Sequence, residues 1–88
     1  MEFKMNDLNL LKVFDAMMQT NNVTKTAEML NKTPSAISQS LSRLRQEYDN
    51  EILFIKEGKE MKPTAFANEL YEEIKESLEV IKNSKRFK

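Results

Sequence analysis

Short polar side chains crowd one segment of the chain, "NKTPSAISQSLSRLRQ", which runs from Asn31 to Gln46. It contains four serines, one threonine and two arginines around a small apolar set. Hydroxyl and amide groups both donate and accept hydrogen bonds, which suits recognition of base-pair edges and phosphate oxygens. The chain has no histidine and no cysteine, so it lacks the usual general base and the thiolate metal ligand. We therefore expect recognition rather than enzymatic catalysis, with no metal and no cofactor.

The segment from Asn31 to Gln46 divides into two faces when it is drawn as a helix of about 100° per residue. Ile37, Leu41 and Leu44 share the apolar face. The opposite face is small, polar and nearly free of acid; it carries Ser35, Gln39, Ser42 and Gln46, with Ser38 and Arg43 at its edges. Serine is a poorer helix former than the Glu and Lys of ordinary surface helices. The composition favours contact with DNA, and a merely solvated helix face is the alternative.

Helix boundary signals surround this segment. Thr33 is suited to cap the helix, and Pro34 fits its first position. A shorter helix precedes it, with Thr24 as the expected N-cap and Asn31 as the residue that ends it in a left-handed conformation. A short helix, a tight turn and a sharply capped helix together predict a helix-turn-helix.

A small hairpin is predicted directly after the helix-turn-helix. The apolar run Ile52–Ile55 and the segment "MKP" flank a turn around Gly58, the single glycine of the chain. A hairpin in this position is a wing. Thr64 should then cap a long helix that runs to about Asn83, and Asp7 should cap the first helix of the chain.

The expected fold is therefore mainly α: a winged helix-turn-helix of three helices and a two-stranded β wing, followed by a long C-terminal helix. We divide it into a DNA-binding domain at residues 1–63 and a dimerisation helix with a tail at residues 64–88. The last helix is longer than so small a core requires. Its apolar stripe is wide enough to pack its N-terminal half on its own domain and its C-terminal half on another helix, which predicts a homodimer formed through it. Its apolar stripe includes Leu70, Tyr71, Ile74, Leu78 and Ile81.

Charge is balanced overall but unevenly distributed. The chain has 14 basic and 14 acidic residues, whereas freestanding nucleic-acid binders are often strongly basic. Four basic residues and one acid lie between Lys25 and Arg45, and five acids and one lysine lie between Glu69 and Glu79. The neutral total leaves open a winged helix that binds a protein through its acidic helix. With no long apolar run, we expect a cytoplasmic, nucleoid-associated protein without membrane contact.

Several motifs taken together resemble the N-terminal winged helix-turn-helix domain and linker helix of LysR-type transcriptional regulators. The opening "DLNLLKVFDA" is most similar to the LeuO and NodD branch of that family. The resemblance covers about residues 7 to 83 and rests mainly on "LLKVFDAMMQTNNVTKTAEML", "TPSAISQSLSRL" and "LFIKEGKEMKPT". It implies sequence-specific binding of double-stranded DNA by a homodimer.

The resemblance also assigns roles to individual residues. The base contacts that it implies fall on Pro34, Ser35, Ser38 and Gln39. Phosphate contacts, from the resemblance and from the charge pattern, are expected at Thr24, Lys25, Thr33, Ser42, Arg43 and Arg45, and wing contacts at Lys56 and Lys59. This sequence does not include the family's effector-binding domain, so no small-molecule effector is expected. The alternatives are an excised domain and a short regulatory form that pairs with a full-length relative.

Overall fold

The structure is a computed structural model that describes the backbone of residues 8–86 and the side chains of residues 8–76. The predicted cap at Asp7 lies outside the described residues. The order of elements confirms the predicted mainly α winged helix-turn-helix. The elements are α1 (Leu8–Thr20), α2 (Val23–Leu30), α3 (Pro34–Glu47), β1 (Phe54–Glu57), β2 (Glu60–Pro63) and α4 (Ala65–Arg86).

One core cluster joins α1, α3 and the beginning of α4. Its buried members are Leu10, Leu11, Phe14, Leu44, Tyr48, Leu53, Ala67, Leu70 and Ile74. Phe14 is fully buried, and its ring lies edge-on to Phe54 and Tyr71, with centroid distances of 6.1 and 5.9 Å. Such aromatic pairs contribute about 0.5–1.5 kcal/mol beyond the area that they bury. Phe14 therefore anchors both the wing and α4 to the first helix.

The core revises part of the predicted dimer surface. Leu70 and Ile74 are both 0% exposed, so these side chains stabilise their own chain instead of facing a partner. Tyr71 is half-buried against α1. The side chains of Leu78 and Ile81 lie outside the described residues. The width of the apolar stripe predicted that its N-terminal half packs on its own domain, but it could not show that this half includes both Leu70 and Ile74.

A second cluster holds the three helices of the helix-turn-helix together. It consists of Val13, Met17, Ala27 and Ile37. Beside it, the buried hydroxyl of Thr26 lies 2.7 Å from the Thr20 hydroxyl and donates to Sδ of Met17 at 3.3 Å. Those bonds offset the cost of burying a polar group.

Asn22, rather than Thr24, caps α2. Its Oδ1 accepts a hydrogen bond from the backbone N–H of Lys25 at 2.8 Å. The predicted cap at Thr24 is therefore wrong, because the helix begins at Val23 and Thr24 lies within its first turn. The predicted end at Asn31 is confirmed, since this residue has a φ of 59° and a left-handed conformation.

The wing is an antiparallel hairpin in which Lys56 lies opposite Met61. Gly58 occupies its turn with a φ of +62°, as expected for a residue without a Cβ. The strand predicted at Ile52–Ile55 begins later, at Phe54. The carbonyls of Ile52 and Leu53 instead accept hydrogen bonds from Thr64, which binds this segment to the start of α4. Among the residues that the structure describes, no helix is long and apolar enough to cross a membrane.

Candidate nucleic-acid interface

The outer face of α3 presents the polar groups that could contact bases. Ile37 and Leu44 are 0% exposed and hold the opposite side of the helix in the core. Ser40 is the one serine of α3 that shares this inner side, and it is 8% exposed. The predicted base-contact residues are all exposed: Pro34, Ser35, Ser38 and Gln39. Their position follows from the helical period of the apolar residues.

The start of α3 is held in a fixed direction by its cap. Thr33 accepts a hydrogen bond from the N–H of Ala36 at 3.1 Å, and Pro34 occupies the first turn, as predicted. The N–H of Lys32 donates to the carbonyl of Ala27 at 2.8 Å and closes the turn after α2. Thr33, Pro34 and Ser35 are exposed, so the N-terminus of α3 is at the surface. The positive end of the helix dipole favours a phosphate there.

A groove lies between the wing and the helix-turn-helix, and several of the predicted contact residues line it. It is lined by Asn22, Val23, Thr24, Ser38, Lys56, Lys59 and Met61. Two ammonium groups and no carboxylate line this groove, so its electrostatic character favours an anion. Because the cap is at Asn22, Thr24 lies in the exposed first turn of α2, and it lines the same groove. We call it the wing groove.

A neighbouring groove extends the polar surface along α3. Ser38, Ser42 and Arg45 lie beside an apolar floor formed by Val23, Leu41, Leu53, Phe54 and Met61. Nη2 of Arg45 is 3.5 Å from the carbonyl oxygen of Asn50, a long contact near the end of α3. Ser38 belongs to both grooves, so it links the base-contact face to the predicted phosphate contacts Ser42 and Arg45.

Other predicted contact residues lie outside these two grooves. Lys25 and Arg43 are exposed on α2 and α3. Thr33 is exposed as well, but its hydroxyl oxygen accepts the capping hydrogen bond. The structure thus shows that these side chains are at the surface, and their phosphate contacts remain predictions.

The wing is positioned by a residue pair that the sequence pattern does not reveal. The backbone N–H of Met61 in β2 donates to the carbonyl of Asn21 at 2.9 Å. Asn21 holds a left-handed conformation with a φ of 53°, which turns this carbonyl toward the wing. The pair "NN" signalled the end of α1, but no local pattern indicates a partner so distant in sequence. The bond fixes Lys56 and Lys59 relative to α2 and α3.

Comparison with known proteins assigns this arrangement to a family. A sequence profile described as "Bacterial regulatory helix-turn-helix protein, lysR family" matches residues 8–68. The chain belongs to this family. It is 38% identical over 82 residues to the HTH-type transcriptional regulator LeuO of Escherichia coli K12, covering 93% of this chain and 26% of LeuO. It is 41% identical over 78 residues to nodulation protein D 1 of Rhizobium leguminosarum bv. phaseoli, covering 89% of this chain and 24% of that protein.

These matches confirm the resemblance to LysR-type regulators, and to LeuO and nodulation proteins among them. The family description is that of a regulatory protein. The chain spans about a quarter of the length of these curated relatives. A crystal structure of the BenM DNA-binding domain with catB site 1 DNA has the same fold, with a TM-score of 0.82 at 20% identity. That alignment covers 92% of this chain and 89% of the BenM chain. The described fold is thus that of a LysR-type DNA-binding domain.

Proposed function

We propose that this protein binds double-stranded DNA in a sequence-specific manner as a homodimer and thereby controls transcription. In this mechanism, the start of α3 enters the major groove and the wing lies against the sugar-phosphate backbone. The proposal is carried by the exposed hydroxyl and amide face of α3, which continues through Ser38 into the cationic wing groove. BenM, whose DNA-binding domain shares the fold, was crystallised with DNA.

The chemistry of the α3 face suits direct reading of bases. The amide of Gln39 can form two hydrogen bonds with an adenine, one as donor and one as acceptor. Such a bidentate pair favours the correct base over a wrong one by about 1–3 kcal/mol. The hydroxyls of Ser35 and Ser38 accept or donate as the base edge requires. The ring CH₂ groups of Pro34 can contact a thymine methyl. Because these side chains are short, the helix backbone can approach the groove closely.

Phosphate contacts supply affinity and position the helix. The candidate residues are Thr24, Lys25, Thr33, Ser42, Arg43, Arg45, Lys56 and Lys59. Lysine binds phosphate as a point charge, whereas arginine can present two donors at once. We therefore expect the wing lysines to contribute mainly sequence-independent attraction, which falls as salt concentration rises.

Homodimerisation through α4 would place two α3 helices on two half-sites. In the first turns of α4, Leu70 and Ile74 are buried in the core of their own chain. The later apolar positions Leu78 and Ile81 are therefore the ones proposed to contact a partner helix. A two-fold dimer pairs like surfaces, so the DNA site should be an inverted repeat.

The decisive experiment is selection of bound duplexes from a random pool, followed by titration of the selected and scrambled sequences. We expect an inverted repeat and at least about a hundredfold preference for it. Ser38→Glu should abolish binding, because it places a carboxylate in both grooves. Asn68→Glu, which adds the same charge at an exposed position of α4, should have little effect. Equal affinity for selected and scrambled duplexes would overturn sequence-specific binding.

The second candidate is a winged helix that binds a protein instead of DNA. Its support is the zero net charge of the chain and the exposed acids of α4, among them Glu69, Glu72 and Glu76. The same titration separates the two functions. Failure to retain any duplex at low salt, where phosphate attraction is strongest, would favour the protein-binding candidate.

A further inference from the structure

A shallow apolar groove lies where the segment after α3 meets the start of α4. It is lined by Asp49, Asn50, Glu51, Ile52, Ile55, Thr64, Ala65 and Phe66. Ile52 and Ile55 are 53% and 54% exposed. Two adjacent aliphatic side chains left in water make a candidate contact surface. None of the residues predicted to contact DNA lines this groove, which we call the Ile52 groove.

The Ile52 groove is held rigid by hydrogen bonds at its base. The hydroxyl of Thr64 donates to the carbonyl of Ile52 at 2.7 Å and accepts from the N–H of Ala67 at 3.2 Å. The ring of Phe66 packs edge-on against Tyr48, with the centroids 6.0 Å apart. A surface that is already ordered loses little conformational entropy when it binds.

The charge of the Ile52 groove indicates which kind of segment would fill it. Its lining includes the carboxylates of Asp49 and Glu51, both exposed, and no lysine or arginine. A matching occupant therefore combines an apolar side chain with positive charge. The sequence contains such a segment at residues 85–88, "KRFK", in which Phe87 is flanked by three cations.

This segment cannot reach the Ile52 groove of its own chain. α4 runs from Ala65 to Arg86 as one helix of 22 residues, a rod of about 33 Å. The groove lies at the first residues of that rod, and Lys85 and Arg86 lie at its other end. In a pair of antiparallel α4 helices, however, the end of one helix lies beside the start of the other.

We propose that residues 85–88 of one copy bind the Ile52 groove of a second copy, with Phe87 between Ile52 and Ile55 and the flanking cations beside Asp49 and Glu51. The contact rests on the homodimer of the proposed function, with the two α4 helices antiparallel. By two-fold symmetry it occurs twice in each dimer. It stabilises the dimer by burying a phenylalanine and by pairing opposite charges at the rim of the groove.

Disulfide trapping tests the contact directly, because the chain has no native cysteine. A chain with Ile52→Cys is mixed with a chain carrying Phe87→Cys, and the mixture is oxidised gently. We expect a covalent heterodimer that reducing agent separates. The matched control replaces Ile52→Cys by Met29→Cys, at a residue of α2 that is 55% exposed. Equal trapping by both pairs, or none by the Ile52 pair, would overturn the proposal.

Sedimentation equilibrium supplies a second, independent measurement. Phe87→Ala should raise the dimer dissociation constant at least about tenfold, as expected when a buried phenylalanine is removed. Glu51→Lys and Arg86→Glu should each weaken the dimer, and the two changes combined should restore part of the affinity. A wild-type dimer unaffected by all of these changes overturns only the Ile52 groove contact. A wild-type chain that stays monomeric both free and on DNA overturns the homodimer as well.

Discussion

The phenolic hydroxyl of Tyr71 donates a 2.7 Å hydrogen bond to Oδ1 of Asp15 and thereby joins α4 to α1. The other carboxylate oxygen of Asp15 accepts a hydrogen bond from Nε2 of Gln19 at 3.1 Å. Burial, followed by the hydrogen bond and the negative charge of Asp15, raises the pKa of Tyr71 to about 12. A polar contact thus supplements the buried Leu70 and Ile74 in fixing the direction in which α4 leaves the domain.

Tyr71→Phe should lower the free energy of unfolding by about 1 kcal/mol at neutral pH, because it removes one hydrogen bond to a carboxylate. Urea denaturation followed by circular dichroism measures this difference. A larger loss would indicate that the ring packing against Phe14 had changed as well.

The stabilisation by Tyr71 should also depend on alkaline pH. Its pKa is raised from 10.0 in the reference state to about 12 in the folded chain. Below pH 10 the phenol is protonated in both states and its contribution is complete. Between pH 10 and 12 the unfolded chain loses this proton first, so stability falls as pH rises. The difference between wild type and Tyr71→Phe should shrink across this range. Tyr48 is present in both chains, so its effect on stability cancels in the difference between them. If that difference stayed constant over this pH range, the raised pKa of Tyr71 would be contradicted.

Ile74→Asp should unfold the domain instead of producing a folded monomer. Ile74 is 0% exposed in the core that joins α4 to α1, so the change removes apolar packing and buries an unpaired carboxylate. We expect a loss of about 3–5 kcal/mol, a large part of the stability of a small domain. Thermal unfolding measures it.

Leu78→Asp is the matched variant, four residues later on the same predicted stripe. It should keep the fold and weaken the dimer in sedimentation experiments. A folded, monomeric Ile74→Asp chain would contradict the structural assignment of Ile74 to the core.

Local physical signals predicted much of this fold. Thr33 and Pro34 start α3, Asn31 ends α2, and Gly58 turns the wing, because each conformation depends on the residue itself. The predicted cap of α2 was the wrong residue because two residues suited to capping lie close together. Only the backbone conformation shows that Asn22 is the cap.

The candidate site was predicted less completely than the elements that form it. The helical period correctly placed Ser35 and Gln39 on the exposed face of α3. It could not show that Thr24 and Lys56 line one groove, because that depends on a hydrogen bond between distant parts of the chain. Nor could it show that Ile74 lies in the core, because that depends on how α4 packs against α1.

Gln39→Ala should reduce affinity for the selected DNA site by about 1–3 kcal/mol and leave binding to scrambled DNA nearly unchanged. The reason is that an amide paired with a base contributes only when the correct base is present. Fluorescence anisotropy on both duplexes measures the two affinities. Gln46→Ala, at an exposed position near the end of α3, is the control and should change neither. If Gln39→Ala weakened both duplexes equally, its contact would be with the backbone.

Lys56→Ala combined with Lys59→Ala should reduce the salt dependence of DNA binding while preserving the preferred sequence. Each lysine that neutralises a phosphate displaces counterions, so the double change should lower the slope of log K against log salt by about 2. The control is Lys62→Ala in the same wing, since Nζ of Lys62 lies 3.7 Å from a carboxylate oxygen of Glu57 and lines neither groove beside α3. Titrations from low to moderate salt should give Lys62→Ala the wild-type slope. An equal change for both variants would mean that the wing acts through its total charge rather than through the groove that Lys56 and Lys59 line.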